Sequence, residues 1–403
     1  MFCSWIRCRF SCCRCYYINQ RWIWKHYEVS GAYKNSVDAV TAANAIEQGL
    51  LHSKFNLTSE CFPIGDGGDG TADLIIKHFN GTIVKAEVPD ALGRKIKTTF
   101  GLINGGTDAV IEMANASGLR HLQVQELNPM LASSSGTGEL IKAALNKGVS
   151  KIIIAMGGSA TVDGGTGILS ELGVQFLDAD RCNLENLPES LIKLDSIDLS
   201  LLDNRILDCE LIILCDVDNL LLGINGAAAI FGPQKGANPE MIQKLEDSLV
   251  KYNDVVFKQT GINMSLIKYG GTAGGAAAGL SALAKAKLVN GVDHFLHLTN
   301  FDEALNRSDV VITGEGSIDN QTLQGKGPFG VARRAKQKGI PVIGLAGRVP
   351  LLPNPDLEKY FDVLLSIEHE PLNLHDALEL TTFNLKRVAM QIAKLIFVGR
   401  NNL

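Results

Sequence analysis

Apolar residues recur along the chain in short continuous runs, and segments with a helical spacing of apolar positions separate these runs. Six runs rich in β-branched and aliphatic residues stand out: DAVIEMA (108–114), KIIIAMG (151–157), ELIILCD (210–216), DVVITGE (309–315), PVIGLAG (341–347) and DVLLSIE (362–368). Such runs, without polar alternation, are typical of strands that are buried on both faces. The pattern therefore predicts an α/β fold with a mostly parallel sheet.

Helices are predicted between these strands. The helical segments span residues 37–51, 71–79, 138–147, 239–260, 328–338 and 374–397. The start of one helix has a clear signal, because Asn238 is a favourable N-cap residue and Pro239 suits the first helical position.

The order of these segments predicts two α/β domains. Residues 29–81 and 291–403, from the two ends of the chain, are expected to form one Rossmann-like domain with a mostly parallel sheet. Residues 82–290 contain less regular stretches and are expected to form an inserted second α/β domain. A chain of 403 residues also exceeds what a single core usually covers.

The first 28 residues differ in composition from the rest. They contain all three tryptophans and five Lys or Arg against one Glu, whereas the whole chain has a net charge of −5. A secretory signal is not expected because Arg7, Arg9 and Arg14 interrupt the apolar residues, and the nearby cysteines lack paired zinc-ligand spacing. We predict that residues 1–28 are an unstructured or spurious extension, although 22–29 could be recruited as a strand.

Composition excludes several classes of partner. The net charge of −5 argues against nucleic acid or an anionic membrane surface as the main partner. No window approaches the roughly 18 consecutive apolar residues of a membrane span, so a cytoplasmic protein is expected. Four cysteines are scattered singly and are predicted to be reduced thiols in the core: Cys61, Cys182, Cys209 and Cys215.

Glycine-rich loops with acidic or hydroxyl residues are the strongest functional signal. Seven such loops, most of them directly after a predicted strand, are PIGDGGDGT (63–71), MGGSATVDGGTG (156–167), CDVDN (215–219), FGPQKGA (231–237), YGGTAGG (269–275), ITGEGSID (312–319) and LAGRV (345–349). Ligands of open α/β sheets lie beyond the carboxyl ends of the strands, where these loops would converge. Because glycine lets backbone N–H groups approach an anion, the pattern predicts one large phosphate site.

The loop at 65–70 also fits the GxGxxG pattern of a dinucleotide site, which keeps an NAD-type oxidoreductase open as an alternative. Asp66 and Asp69 lie inside this loop, however, and their charges would repel a pyrophosphate unless a cation intervened. Mg²⁺ typically takes one or two carboxylates together with substrate phosphates. A magnesium–phosphate site is therefore the better interpretation.

Basic residues near the glycine loops point to phosphoryl transfer. They are Lys34, Arg94, Lys235, Lys326 and Arg348. A phosphoryl-transfer site needs cations to balance the charge of a triphosphate and of an acidic substrate. The chain contains neither a Walker A sequence nor the HRD and DFG motifs of protein kinases, so the standard nucleotide-binding motifs do not account for it.

Taken together, these motifs resemble those of the type I glycerate kinase family over residues 32–398. The matching stretches are AYKNSV, IGDGGDGT, ALGRKI, IEMANASGL, NPMLASSSGTGELI, GGSATVDGGTG, CDVDNLLLG, FGPQKGA, VITGEGSIDNQTLQGK and VIGLAGRV. The resemblance implies two α/β domains with the active site in the cleft between them. It also implies ATP-dependent phosphorylation of D-glycerate, most simply at the 2-hydroxyl, with ATP and Mg²⁺ as cofactors and a homodimer allowed.

Catalytic and metal-binding roles follow from the resemblance and from positions at strand ends. Asp216, which ends a buried strand beside a polar turn, is the candidate that positions or deprotonates the glycerate hydroxyl. Lys34 is the second catalytic candidate. Asp66 and Asp69 are the candidate metal ligands, with Asp163 in reserve.

Two sets of residues are predicted to bind the ligands. The substrate set is Arg94, Ser134, Ser135, Lys235 and Arg348. The ATP and phosphate set is Gly67, Gly68, Gly157, Gly158, Ser159, Thr161, Glu315 and Lys326. Arg94 and Lys34 are the candidates for the glycerate carboxylate, the two serines are also phosphate candidates, and Glu315 is a further reserve metal ligand.

The sequence departs from the family pattern at its start. Family members begin with an apolar strand that leads into a loop of the type PDSFK, whereas this chain reads VSGAYK and has Gly31 at the place of the aspartate. A catalytically impaired homologue that acts as a binding protein is therefore a second alternative. Leu220, at a place where the family usually has proline, is expected to be harmless.

Overall fold

The computed structural model describes residues 24–30, 37–53, 55 and 57–401. In these residues the strands are β1 (Trp24–Ser30), β2 (Leu57–Cys61), β3 (Thr82–Pro89), β4 (Lys95–Ile103), β5 (Asp108–Glu112), β6 (Lys151–Ala155), β7 (Gln175–Leu177), β8 (Ser196–Asp198), β9 (Glu210–Cys215), β10 (Lys287–Asn290), β11 (Val310–Ser317), β12 (Val342–Arg348) and β13 (Val363–Ser366). The six apolar runs correspond to β5, β6, β9, β11, β12 and β13, so each predicted strand is confirmed.

The helices lie between the strands, as the pattern predicts. They are α1 (Ala39–Leu51), α2 (Thr71–His78), α3 (Ala114–Ser117), α4 (Ser135–Leu145), α5 (Thr166–Glu171), α6 (Arg205–Asp208), α7 (Ala227–Phe231), α8 (Pro239–Thr260), α9 (Ala276–Ala284), α10 (Gly291–Leu298), α11 (Phe301–Leu305), α12 (Gly327–Gln337), α13 (Pro355–Glu358), α14 (Leu374–Glu379) and α15 (Thr381–Asn401). The N-cap of α8 is confirmed, since the side chain of Asn238 accepts a hydrogen bond from Met241 N at 2.9 Å.

One predicted helix is wrong, because 374–397 is not continuous. The segment divides into α14 and α15 at Leu380. Thr381 Oγ1 donates to the carbonyl oxygen of Ala377 at 3.2 Å. A hydroxyl that bonds back to the preceding turn often bends a helix, which accounts for the break.

The first sheet has five parallel strands in the order β13-β12-β11-β1-β2. β1 is an interior strand of this sheet and pairs with β11 and β2, so that Tyr27 lies opposite Val311 and Glu60. The recruitment of a strand from 22–29 is therefore confirmed. Residues 24–28 belong to this sheet and not to an unstructured extension, while residues 1–23 lie outside the described part of the chain.

The second sheet has six strands in the order β10-β9-β6-β5-β4-β3. β10, β9, β6 and β5 are parallel, and β4 and β3 extend the sheet antiparallel at one edge. A small hairpin of β7 and β8 lies apart from both sheets. The expected mixture of helices with mostly parallel sheet is thus confirmed.

Alternate residues of the six-stranded sheet face two different cores. Ile152 and Ile154 pack with α4, α5, α8 and α9 in the largest apolar cluster. Ile153, on the other face, belongs to a cluster that includes residues of α2, α10 and α12 together with Val311 and Val342 of the five-stranded sheet. Helix layers therefore join the two sheets. The predicted domain boundaries stay a prediction. α2, which the prediction assigns to the first domain, packs against β4 and β5 of the second sheet.

The four cysteines of the described residues are not paired in disulfide bonds with one another. Cys209 and Cys215 are buried, and burial raises their pKa values to about 11 and about 12. Cys61 is half-buried and Cys182 is exposed. The prediction of four core thiols is therefore wrong for Cys182, which follows the exposed residues 179–181 of a surface turn.

Candidate active site

The 65–70 loop links the two sheets. It follows β2 of the five-stranded sheet, and Gly67 and Gly70 have φ values of +94° and +86°, in the left-handed region that favours glycine. A Cβ on Gly67 would lie 3.0 Å from the carbonyl oxygen of Leu214, at the end of β9. The loop therefore reaches the carboxyl edge of the six-stranded sheet.

Close packing of two glycine loops brings the predicted phosphate residues together. Gly157 N donates to Gly67 O at 3.0 Å, and a Cβ on Gly157 would lie only 2.3 Å from Gly68 Cα. A Cβ on Gly158 would lie 3.5 Å from Asp69 Cγ. These glycines are therefore needed for the approach of the two loops, whether or not they also bind phosphate.

The two acidic residues of the 65–70 loop have different surroundings. Asp66 Oδ1 accepts a hydrogen bond from Gly68 N at 2.9 Å. The side chain of Asp69 is 57% exposed, and its Oδ1 accepts from Arg120 at 2.7 Å. The same Arg120 nitrogen lies 2.5 Å from Glu112 Oε1. Arg120 thus connects Asp69 to Glu112.

Glu112 and Arg120 are site residues that the sequence analysis missed. Glu112 is 2% exposed, and its Oε2 accepts from Gly70 N at 3.0 Å and from Ala72 N at 3.2 Å. Burial and a hydrogen bond with Asp69 raise the pKa of Glu112 to about 7. Glu112 ends an apolar strand, the same signal that identified Asp216. Its contacts also use N–H groups that a dinucleotide pyrophosphate would need at the start of α2.

Asp216 lies at the same edge as the 65–70 loop. It follows β9, is half-buried, and its Oδ2 lies 4.0 Å from the position of a Cβ on Gly68. The structure therefore brings Asp216 to the loop that carries Asp66 and Asp69.

Lys235 lies beneath this surface. It is 2% exposed, and its Nζ donates to Ser159 Oγ at 2.9 Å and to the carbonyl oxygen of Thr161 at 2.7 Å. Burial lowers the pKa of Lys235 to about 7, against the opposing effects of Asp163 and Asp216. A buried ammonium group thus supports the loop that follows β6.

Two predicted residues are held inside the scaffold. Asp163 is fully buried and accepts from Ser134 N at 2.9 Å, Ser134 Oγ at 2.6 Å and Gly165 N at 3.0 Å. Ser134 Oγ also accepts from Ile168 N at 3.1 Å. Asp163 therefore fits the scaffold better than a metal site, and the same holds for Ser134 as a ligand residue.

The five-stranded sheet contributes Glu315 and Lys326. Glu315 lies at the carboxyl end of β11, where its Oε1 accepts from Thr322 Oγ1 at 2.6 Å and its Oε2 lies 3.5 Å from Lys326 Nζ. Lys326 is the N-cap residue of α12. Burial raises the pKa of Glu315, and the charge of Asp66 acts in the same direction. Asp66 of the 65–70 loop therefore lies close enough to Glu315 for the two carboxylates to interact.

The remaining predicted residues lie in other environments. Arg94 donates to Asp90 at 2.6 Å, to Glu126 at 2.6 Å and to the carbonyl oxygen of His121 at 3.1 Å, and the two carboxylates raise its pKa. Ser135 lines a cavity of about 310 Å³ beside Gly93. Arg348 lines a different cavity, described below. Lys34 and Gly31 lie outside the described residues.

Among the residues that the structure describes, no group of three or more His, Cys, Asp or Glu side chains could hold a metal ion. Within the same residues no helix is long and apolar enough to cross a membrane.

Acidic glycine loops at the carboxyl edges of two mostly parallel sheets are typical of an α/β enzyme that binds phosphate groups. The sequence profile of the Glycerate kinase family matches residues 29–397. The chain is 40% identical to a glycerate kinase of Bacillus subtilis, over 92% of this chain and 97% of that protein. It is 38% identical to the glycerate 2-kinase of Escherichia coli, over 92% of this chain and 97% of that protein.

A solved structure agrees with these relatives. The crystal structure of a protein assigned as glycerate kinase 2 from Salmonella typhimurium has a TM-score of 0.80 and 38% identity, and covers 94% of this chain and 99% of that one. The chain belongs to the glycerate kinase family, and the resemblance found in the sequence is confirmed.

Proposed function

We propose that this protein transfers the γ-phosphoryl group of ATP to D-glycerate and that the acceptor is the 2-hydroxyl. The observation that carries the proposal is the approach of two edges: Glu315 and Lys326 at the end of the five-stranded sheet, and the 65–70 loop with Asp216 at the end of the six-stranded sheet. Relatives that are named glycerate kinase and glycerate 2-kinase support the substrate and the acceptor.

In this reaction the glycerate hydroxyl oxygen forms a bond with the γ-phosphorus. The bond from that phosphorus to the bridging oxygen of ADP breaks, and the hydroxyl proton leaves. Asp216 is the group proposed to orient the hydroxyl and accept its proton, because a half-buried carboxylate at a strand end has little freedom to turn away. Most of the rate enhancement in such transfers comes from positioning and from charge stabilisation.

Asp66 and Asp69 are the residues proposed to hold Mg²⁺, which would neutralise phosphate charge. The donor chemistry fits, since Mg²⁺ is usually held by one or two carboxylates and by the phosphates of the nucleotide. The negative potential of Asp66, which acts on Glu315, also suits a cation. Arg120 already neutralises Asp69 in part, so Asp66 is the stronger of the two candidates.

Cations on both edges are proposed to offset the charge that develops. Lys326 is 39% exposed at the start of α12 and is suited to direct contact with phosphate. Lys235 is buried under Ser159 and Thr161, and its effect would be electrostatic. Lys34 and Arg94 remain the proposed partners of the glycerate carboxylate, and Arg94 would exchange its exposed contact with Glu126 for the substrate.

The experiment is a coupled assay of ADP formation with and without D-glycerate, followed by phosphorus NMR of the product. We expect glycerate-dependent ADP formation, 2-phosphoglycerate as product, and loss of turnover when EDTA removes Mg²⁺. A folded preparation without turnover would favour the impaired homologue, and 3-phosphoglycerate would contradict the acceptor. The cytoplasm, where ATP is available and thiols stay reduced, is the proposed compartment.

A further inference from the structure

A second cavity lies at the carboxyl ends of β11 and β12. Its volume is about 320 Å³, within the range of sites that bind small molecules. The residues that matter for its chemistry are Ser317, Asp319, Asn320, Arg348, Pro350 and Leu351. The edge beyond parallel strands is where ligands of open α/β sheets bind.

This cavity and the Glu315–Lys326 pair lie on two sides of one loop. Thr322 Oγ1 donates to Glu315, and Asp319 N donates to the same Thr322 oxygen at 3.1 Å. Lys326 N bonds to Thr322 O at 3.3 Å. A single hydroxyl therefore connects the wall of the cavity to the residues that face the 65–70 loop, and a ligand in the cavity would extend naturally towards Lys326.

The lining suits a nucleoside. Ile318, Val349, Pro350 and Leu351 offer an apolar wall, and Leu351 is 97% exposed, so a flat base could cover it. The other residues that line the cavity are polar or charged.

Those polar groups match a sugar and a base edge. The Asp319 carboxylate accepts from Gln321 N at 2.8 Å and has the chemistry to accept from ribose hydroxyls, as acidic residues do in nucleotide sites. The amides of Asn320 and Asn354 are joined at 2.7 Å at the rim. A glycerate carboxylate would be repelled by Asp319, which makes the cavity unsuited to the acceptor.

Resting on the proposed function, we propose that this cavity holds the adenosine half of ATP, with the phosphates directed towards Lys326 and the 65–70 loop. Arg348, which the sequence analysis assigned to the substrate, then contacts the phosphate nearest the ribose. Nucleotide and acceptor thus bind on opposite edges of the site.

The test compares two neighbouring leucines. Leu351→Asp introduces a charge at the cavity, whereas Leu352→Asp introduces the same charge at a residue that is 75% exposed and does not line it. Both side chains are exposed, so both variants should fold. ADP binding is measured by titration calorimetry, which needs no turnover, and KM is measured for both substrates.

We expect Leu351→Asp to raise the Kd for ADP and the KM for ATP at least tenfold, with the KM for glycerate within twofold of wild type. Leu352→Asp should change neither, and free adenosine should compete with ATP in the wild-type protein. Asn320→Ala, at another exposed residue that lines the cavity, should raise the Kd for ADP several-fold.

Unchanged ADP binding in both Leu351→Asp and Asn320→Ala would overturn the proposal, as would wild-type protein that binds no ADP. A rise confined to the KM for glycerate would assign the cavity to the acceptor and overturn it too. Wild-type protein that binds ADP in this cavity but does not phosphorylate glycerate would contradict the proposed function and leave the nucleotide site standing.

Discussion

The two edges of the site are built differently. On the side of the six-stranded sheet, two charged groups are enclosed: Glu112 and Lys235 are each 2% exposed, and each has at least two hydrogen bonds. On the side of the five-stranded sheet, Lys326 is 39% exposed and Leu351 is 97% exposed. A preorganised edge suits the chemical step, and an open edge suits a ligand that enters and leaves.

This contrast separates two kinds of kinetic effect. Changes on the enclosed edge should lower kcat or stability, because its groups are held in place before the substrates bind. Changes on the open edge should raise the KM for ATP and leave kcat nearly intact.

The largest effect is expected for Glu112→Ala. Removing the carboxylate leaves Gly70 N and Ala72 N without their acceptor and leaves Arg120 with Asp69 alone, which should lower the free energy of unfolding by about 2–4 kcal/mol. Urea denaturation measures this loss. Glu112→Gln is the control, because its amide oxygen can still accept from the two backbone N–H groups. Its free energy of unfolding should fall clearly less than that of Glu112→Ala. Equal decreases in the two variants would mean that these hydrogen bonds contribute little to stability.

Asp216→Asn should lower kcat by about 10² or more, because the amide cannot accept the hydroxyl proton. The shape of the side chain is kept, so circular dichroism and the melting temperature should stay close to wild type. Turnover at the wild-type rate would remove Asp216 from the chemical step.

Lys326→Ala should raise the KM for ATP about tenfold, the equivalent of about 1.4 kcal/mol, with a smaller effect on the KM for glycerate. Lys336→Ala is the matched control, since Lys336 lies in the last turn of the same helix and pairs with Asp362. If both variants behave alike, the start of α12 has no special part in nucleotide binding.

A smaller effect concerns pH and Lys235. Its pKa in the folded protein is about 7, below the usual 10.5, so unfolding takes up a proton between these values. Stability due to this residue should therefore rise with pH across that window, by at most about 1.4 kcal/mol per pH unit. Melting curves of wild type and Lys235→Met from pH 7 to 9 should diverge accordingly; parallel curves would mean that Lys235 has an ordinary pKa.

The fold was predictable where burial leaves a simple pattern. Continuous apolar runs became strands, whereas β3 and β4, whose positions at an antiparallel edge are mostly exposed or half-buried, were missed. β1 was recognisable only as the sole nearby stretch with strand-forming residues, because Lys25, His26 and Glu28 are unusual in an interior parallel strand.

The site was predictable only in part. The position of acidic residues at strand ends, such as Asp216 and Glu315, could be predicted because the carboxyl ends of parallel strands meet at one edge of a sheet. Arg120 was missed because its contact with Asp69 joins residues 51 positions apart. A lysine such as Lys235 is normally expected at the surface, and only the packing of distant loops shows that it is buried.

We propose that nucleotide and acceptor bind on opposite edges of the site and that Asp216 acts on the acceptor. The most direct test is the affinity of Asp216→Asn for ADP, measured by titration calorimetry on a preparation whose loss of glycerate turnover has been verified. We expect a Kd for ADP within twofold of the wild-type value. A tenfold or larger loss of ADP affinity would contradict it, because Asp216 would then belong to the nucleotide site.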